Sequence, residues 1–405
     1  MESSKKRNMV GLIVLLIANT SAAGADWCTS ALVNISKSFP DIPYSMITLV
    51  NNIPNLCAVI FSIIAGILVN RKITLRNMIL IGVAMHCMGG VMPFFASKSF
   101  ALLMLGRFAF GIGYGIMQGI CISMSFKLVT NEKLRASAMG WALTAQYATN
   151  MVAQVVVGYL CLIDWNYSFL IYLWSLIPFT VVLVLCPKFS LDNEKQTEFL
   201  GECGAQKKEE TLFESLKAMP KSVWIFSAIV GVYMFCYYPM FLTIGQVIIG
   251  RGFGTPVSIG YAMTCYSISS LLGGLFFGLI AKKCKNWTLC ISLFGVAVSA
   301  LGIYFASSYG MVCLFLAVGG ITSTCILPAC NNAYYAEVPH QRSFLASSIT
   351  LAALNIGAFL GTPYIGLIEG LGGETVTALL ISPIILVIMG FITVKLSKTR
   401  AVEVG

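Results

Sequence analysis

Apolar runs of twenty or more residues, separated by short polar connections, recur along the whole chain. That repetition leaves few folds open. A helix needs about 20 apolar residues to cross hydrocarbon, and all its backbone groups must be paired within the segment. Reading for such runs predicts twelve spans, at 9–36, 44–69, 77–96, 99–128, 134–162, 165–187, 221–249, 256–282, 286–307, 310–336, 341–369 and 373–396. Only 10% of the residues are charged, against about 25% in soluble domains. The surface of a soluble enzyme, a disordered chain or a secreted disulfide scaffold cannot be built from this composition. The expected fold class is an all-α polytopic membrane protein.

Basic residues set the expected orientation. Of 26 lysines and arginines, 22 fall in one set of connections. Lys37, Lys98 and Arg251 occupy the other set, and Arg107 lies inside a span. With twelve spans both termini share a side, so both are expected to be cytoplasmic. The net charge of +10 follows from this topology, with anionic lipid headgroups as its partners. Nucleic acid is not expected as a partner.

The 14 cysteines lie mostly within apolar runs, where thiols act as small hydrophobes. No C-x-x-C pair occurs, and His86 and His340 sit on separate segments, so neither a metal nor a cofactor is expected. The sequence holds no nucleotide-binding motif, no H-E-x-x-H and no paired intramembrane carboxylates. An enzyme is therefore not the expected reading.

The long polar stretch 188–220 separates six spans from six and mixes charges of both signs. The halves echo one another across it. Gly66 with Arg71-Lys72 matches Gly278 with Lys282-Lys283; Arg135 matches Arg342; Gly158 matches Gly366. The expected organisation is an N-terminal six-helix bundle at 1–187, a cytoplasmic loop at 188–220 and a C-terminal six-helix bundle at 221–405. Internal duplication of this kind is a signature of secondary transporters. Lys5-Lys6-Arg7, the apolar core after it and Ala23-Gly24-Ala25 imitate a signal peptide with its cleavage site. The repeat needs the first span as counterpart of 221–249, so a retained first helix is expected.

Several motifs resemble those of the major facilitator superfamily, and the resemblance covers essentially the whole chain. Gly66-Ile67-Leu68-Val69-Asn70-Arg71-Lys72 followed by Arg76 resembles the family's loop motif between spans two and three, with Asn70 where an aspartate is usual. Gly106-Arg107-Phe108-Ala109-Phe110-Gly111-Ile112-Gly113 is close to the R-x-x-x-G-x-G pattern of span four. Asp26, Thr29, Ala31-Leu32 and Asn34-Ile35 are similar to the acidic first-span motif of drug-exporter branches. Asp164-Trp165-Asn166-Tyr167-Ser168-Phe169 resembles the W-R-x-x-F start of span six, with Asn166 in place of arginine. The glycine- and proline-rich exporter motif of span five is missing, and Gln146, Asn150 and Gln154 occupy that helix.

The resemblance implies two bundles rocking about a midplane cavity that holds a small-molecule substrate. It further implies a monomer in the plasma membrane. Proton-coupled export of an amphipathic solute is the first expectation. Import by a proton symporter or uniporter is the alternative.

Charge inside the membrane marks candidate functional residues. Asp26 lies 16 residues beyond Val10, about 24 Å from the cytoplasmic face. Arg107 lies seven residues from Phe100, about 20 Å from the same face of a core about 30 Å thick. Either Asp26 exchanges protons with Arg107 as its electrostatic partner, or the two form a static ion pair that locks helix packing. Candidate substrate contacts are Asn19, Tyr114, Gln118, Gln146 and Asn150 in the first half. In the second they are Tyr233, Tyr237, Asn331, Tyr335 and Asn355. Helical spacing puts several of them on shared faces. Gly66, Asn70, Arg71, Arg76, Glu132, Arg135, Glu337 and Arg342 cluster at cytoplasmic helix ends. There they form either a gate or solvated end charges.

Overall fold

The computed structural model describes residues 2–71, 73–95, 98–128, 132–186, 216–335, 337–338 and 343–403. Side chains at 2–8, 67, 70–71, 121–137, 139, 286, 335, 343–344 and 395–403 lie outside that description. So does most of the polar connector expected at 188–220. Among the described residues every regular element is helical. The chain divides into two compact units, one of residues 1–196 with 256–261 and one of 197–255 with 262–405.

The first unit holds α1 (Glu2–Asn19), α2 (Leu32–Ser38), α3 (Tyr44–Arg71), α4 (Leu75–Val91), α5 (Phe100–Leu128), α6 (Glu132–Leu160) and α7 (Leu176–Leu185). The second holds α8 (Lys221–Gly250), α9 (Pro256–Cys284, whose first turn belongs to the first unit), α10 (Thr288–Tyr304), α11 (Tyr309–Tyr335), α12 (Ser343–Gly370) and α13 (Ala378–Glu403). Among the described residues, ten helical stretches are long and apolar enough to cross a membrane. The ninth predicted span is a shorter apolar helix, α10, of 17 residues. The fifth, α6, is long enough but diluted by its amides.

Helix α5 is the axis of the first unit, packed against both α3 and α4. Its glycines permit that approach. A Cβ on Gly113 would stand 2.5 Å from the Gly82 carbonyl oxygen of α4, and one on Gly119 would stand 2.5 Å from the Ser62 carbonyl oxygen of α3. Small residues at such seams let helix backbones touch in a medium where burial of apolar area drives nothing. In the second unit α8 lies along α12, and α10 packs against α11 and α13.

Two departures from regular α-helix shape the first unit. The first predicted span is broken. α1 ends at Asn19, a 3₁₀ turn covers Thr20–Ala22, Ala23 is extended and Gly24 has φ +108°, after which a 3₁₀ turn at Trp27–Ala31 leads into α2. Only glycine adopts that φ without strain. The sixth predicted span starts as an eleven-residue 3₁₀ helix, Trp165–Ser175, before becoming α7. With three residues per turn, positions three apart eclipse one another. Phe169, Tyr172 and Ser175 therefore stand in one column, and all three are buried.

The break also divides the apolar core of this unit. One cluster gathers Trp27, Ile35, Phe110, Phe169 and Tyr172, and the other Leu15, Leu75, Ile79, Met117 and Val182.

Candidate functional site

A broken span leaves backbone carbonyls without helical partners, and in hydrocarbon each must be satisfied. Four consecutive carbonyls, from Ala23 to Asp26, are met by side chains of five different elements. His86 Nε2 of α4 lies 3.0 Å from the Ala23 oxygen. The Tyr172 hydroxyl donates to the Gly24 oxygen at 2.7 Å. Arg107 Nη2 of α5 donates to the Ala25 oxygen at 3.0 Å. Gln154 Nε2 of α6 donates to the Asp26 oxygen at 3.1 Å, and the Thr29 hydroxyl donates to the same oxygen at 2.6 Å.

Arg107 is completely buried. Its Nε donates to the Val50 carbonyl of α3 at 2.5 Å and its Nη1 to the Tyr172 hydroxyl at 3.0 Å. The guanidinium also lies over the Phe110 ring, 4.3 Å from its centroid. The cation is thus surrounded by carbonyl and hydroxyl oxygens and by aromatic faces. Asp26 is half-buried, and among the described residues no side chain donates to its carboxylate. The sequence-predicted pair is brought together, since Arg107 bonds the residue next to Asp26. The guanidinium's hydrogen bonds nevertheless go to neutral acceptors.

A second shell of aromatic and polar groups supports the break. Trp27 stacks on Tyr172 with centroids 5.4 Å apart. His86 is held between the Ser175 hydroxyl, 2.7 Å from Nδ1, and the Phe110 ring, 4.5 Å away. Asn51 of α3 donates to the Thr29 hydroxyl at 3.0 Å. None of Trp27, His86, Tyr172, Ser175 and Asn51 was selected by sequence reasoning. The signal for the Tyr172 column was a three-residue period, which a search for α-helical faces passes over.

The amide stripe of α6 lies against the first span. Gln146 Nε2 donates to Asn19 Oδ1 at 3.0 Å, Asn150 Oδ1 accepts from the Trp27 indole at 2.5 Å, and Gln154 reaches Asp26 as above. The spacing of four places all three on one face. Gln146 and Asn150 remain half-buried, and each amide bears a second polar group that these bonds leave over. On α5, Gln118 Nε2 donates to the Tyr114 hydroxyl at 2.6 Å. Asn19, Tyr114, Gln118, Gln146 and Asn150 therefore share one unit with Asp26.

In the second unit Tyr233 and Tyr237 stack at 5.9 Å and are buried, with Phe241 and Tyr266 beside Tyr237. Asn331 accepts from the Tyr334 hydroxyl at 2.6 Å, and Asn355 is buried on α12. The side chain of Tyr335 lies outside the described residues.

At the helix ends expected to be cytoplasmic, Arg76 Nη2 donates to the Leu183 carbonyl at 2.7 Å, which ties the first turn of α4 to the last of α7. Both Gly66 and its counterpart Gly278 have open space where a Cβ would stand. Glu337 is exposed. The side chains of Asn70, Arg71, Glu132 and Arg135, and the whole of Arg342, lie outside the described residues.

Comparison with known proteins agrees with this architecture. The Major Facilitator Superfamily profile matches residues 14–254 and 223–404. An uncharacterized transporter of Rickettsia bellii is 24% identical over 232 residues, 56% of this chain and 54% of that one, so the match spans about half that relative. NiaP of Bacillus subtilis, whose name attributes niacin and nicotinamide transport to it, is 23% identical over 320 residues, 76% of this chain and 74% of that one. Among solved structures, a POT family transporter in complex with 5-aminolevulinic acid has a TM-score of 0.74 at 12% identity, covering 96% of both chains. The nucleoside transporter NupG has a TM-score of 0.73 at 14% identity, covering 96% of this chain and 98% of that one. At such identities the likeness is one of fold.

Proposed function

The chain belongs to the major facilitator superfamily and is a multi-pass membrane transporter, and we propose that it carries a small amphipathic organic solute by proton-coupled alternating access. The observation that carries the coupling is the contrast between two neighbouring charged residues. Arg107 is committed to three neutral acceptors, whereas no side chain among the described residues donates to the Asp26 carboxylate. A carboxylate that no side chain holds is free to exchange a proton as the site opens to either side. The polar groups left over on Gln146 and Asn150 suit a solute with a few hydrogen-bonding atoms, and the tyrosines of α8 suit one with an apolar or aromatic body. A thermal-shift panel that includes niacin and nicotinamide identifies the solute through ligand stabilisation.

With that solute in proteoliposomes, an imposed pH gradient drives flux through the unsubstituted protein. Asp26→Asn retains solute exchange at equal pH on both sides and loses the gradient-driven component. Undiminished gradient-driven flux in that variant would refute the coupling role. Export from the cytoplasm is the leading direction, in a monomer of the plasma membrane with both termini inside. Uptake is favoured instead by one observation, the amides of α6 where exporters carry glycine and proline. The sign of the gradient that accelerates loss of preloaded solute separates the two.

A further inference from the structure

The first unit contains a cavity of about 180 Å³ between α6 and the 3₁₀ helix Trp165–Ser175. Ala148, Thr149, Val152 and Ala153 form one wall, Ile171 and Trp174 the other, and the indole of Trp27 the floor. No charged side chain lines it. The Thr149 hydroxyl is bonded back to the Ala145 carbonyl at 2.8 Å, and the Trp174 indole donates to the Thr20 hydroxyl at 3.3 Å, so neither lacks a partner. The rim is open: Val152 is 59% exposed and Trp174 38%. Leu173, Leu176 and Ile177 continue the same exposed apolar surface. That stretch belongs to a segment, Trp165–Leu185, apolar enough to span a membrane, so the medium at the rim is hydrocarbon.

We propose that this crevice is a binding site for a phospholipid acyl chain, which enters past Val152 and Trp174 and rests on Trp27. Water has no reason to enter, because an apolar cavity of about 150 Å³ stays dry and takes up a benzene-sized hydrocarbon instead. The occupant follows from continuity, since the rim opens onto the lipid-covered face and onto nothing polar. The site also touches the transport machinery. One face of the Trp27 ring stacks on Tyr172, and its N–H holds Asn150. A chain in the crevice therefore lies beside the buried ring that joins the broken span to the amide stripe of α6.

Bromine on an acyl chain quenches an indole only near contact, which gives a test independent of any transported solute. The full-length protein is reconstituted in phosphatidylcholine with or without dibrominated chains. The emission of Trp27 is taken as the difference between the unsubstituted protein and Trp27→Phe. We expect brominated lipid to remove more than half of that difference. Ala148→Phe, which fills the crevice from its exposed rim, should reduce the quenching of Trp27 at least twofold while Trp174 stays quenched. If the Trp27 difference is unquenched, or if Ala148→Phe leaves its quenching unchanged, no chain occupies the crevice. Relief of the quenching by niacin or nicotinamide would overturn the assignment to lipid and give the crevice to a solute.

Discussion

Tyr172→Phe removes one oxygen atom from the column that holds the broken span and leaves the ring in place. The hydroxyl donates to the Gly24 carbonyl and accepts from Arg107 Nη1. Its loss strands one N–H of a buried cation and leaves the Gly24 carbonyl only a long hydrogen bond from the Trp27 backbone N–H at 3.4 Å. In membrane bundles an ordinary interhelical hydrogen bond is worth about 0.6 kcal/mol and at most about 1.7, because the freed group finds another partner. Here the alternatives are already taken. The Gly24 carbonyl is outside any helix, and its neighbours are assigned to His86, Arg107 and Gln154. The appropriate scale for the Arg107 N–H is that of a buried group left unsatisfied, about 1–3 kcal/mol and more for charged groups, and with the weakened Gly24 carbonyl the expected loss is about 2–4 kcal/mol. Equilibrium unfolding in mixed micelles, followed by a fluorogenic maleimide as buried cysteines such as Cys57, Cys236 and Cys330 become accessible, measures it. Combining Tyr172→Phe with Arg107→Lys in a double-mutant cycle should give coupling above about 1 kcal/mol, since both act on one hydrogen-bonded group. A loss below about 1 kcal/mol together with additive single effects would refute the claim that Tyr172 and Arg107 jointly hold the break.

Gly24→Ala should cost about 1–3 kcal/mol, because φ +108° is strained for any L-residue and its Cβ would stand 3.1 Å from the Trp27 ring; the same unfolding assay reads it. Gly119→Leu should prevent assembly of the first unit, since the new side chain meets the α3 backbone at Ser62, and the result would be loss of the monodisperse peak in gel filtration. Gln154→Leu should cost no more than about 1 kcal/mol, because the Asp26 carbonyl keeps both the hydroxyl and the backbone N–H of Thr29. A loss of about 3 kcal/mol there would show that Gln154 holds more than the carbonyl.

Much of this fold was legible because membrane helices announce themselves by length and hydropathy; the paired glycines and bases led to the expectation of two halves. The proximity of Arg107 to the Asp26 segment was legible for the same reason, since charge is scarce enough that two groups at one depth stand out, but the guanidinium's choice of neutral acceptors was not. The break was not. A hydropathy window averages across four residues of non-helical backbone, and Ala23-Gly24-Ala25 is apolar in either conformation. The same three small residues suggested a signal-peptidase site, and the physical cause is shared: small side chains expose the backbone. In the bundle His86, Tyr172 and Arg107 approach that exposed backbone. The 3₁₀ helix at Trp165–Ser175 was hidden as well, because its composition is that of an α-helix and only its period differs. With it went the eclipsed column of Phe169, Tyr172 and Ser175. The amides of α6 were found from sequence, but as cavity lining, since spacing alone does not say which neighbour a stripe faces.

The division of labour between the buried arginine and the half-buried aspartate follows from their chemistry. A guanidinium stays protonated at any accessible pH, so its charge is permanent and its donors must be permanently satisfied. Carbonyl oxygens of a broken helix suit that need, because they are fixed, neutral and otherwise orphaned. A carboxylate can be neutralised by one proton. If Arg107 spent its donors on Asp26, each neutralisation would strand a buried cation and put the fold at risk. With the donors committed to Val50, Ala25 and Tyr172, the charge on Asp26 can change while the break stays closed. Stability should therefore depend on Arg107 and coupling on Asp26, as separate properties. Asp26→Asn is expected to unfold within about 1 kcal/mol of the unsubstituted protein, the range of a lost exposed ion pair, whereas Arg107→Lys should lose about 3 kcal/mol through two or more unmade bonds to buried acceptors. Equal destabilisation by the two substitutions would mean that the charges act as a static pair, and coupling through Asp26 would then lose its structural basis.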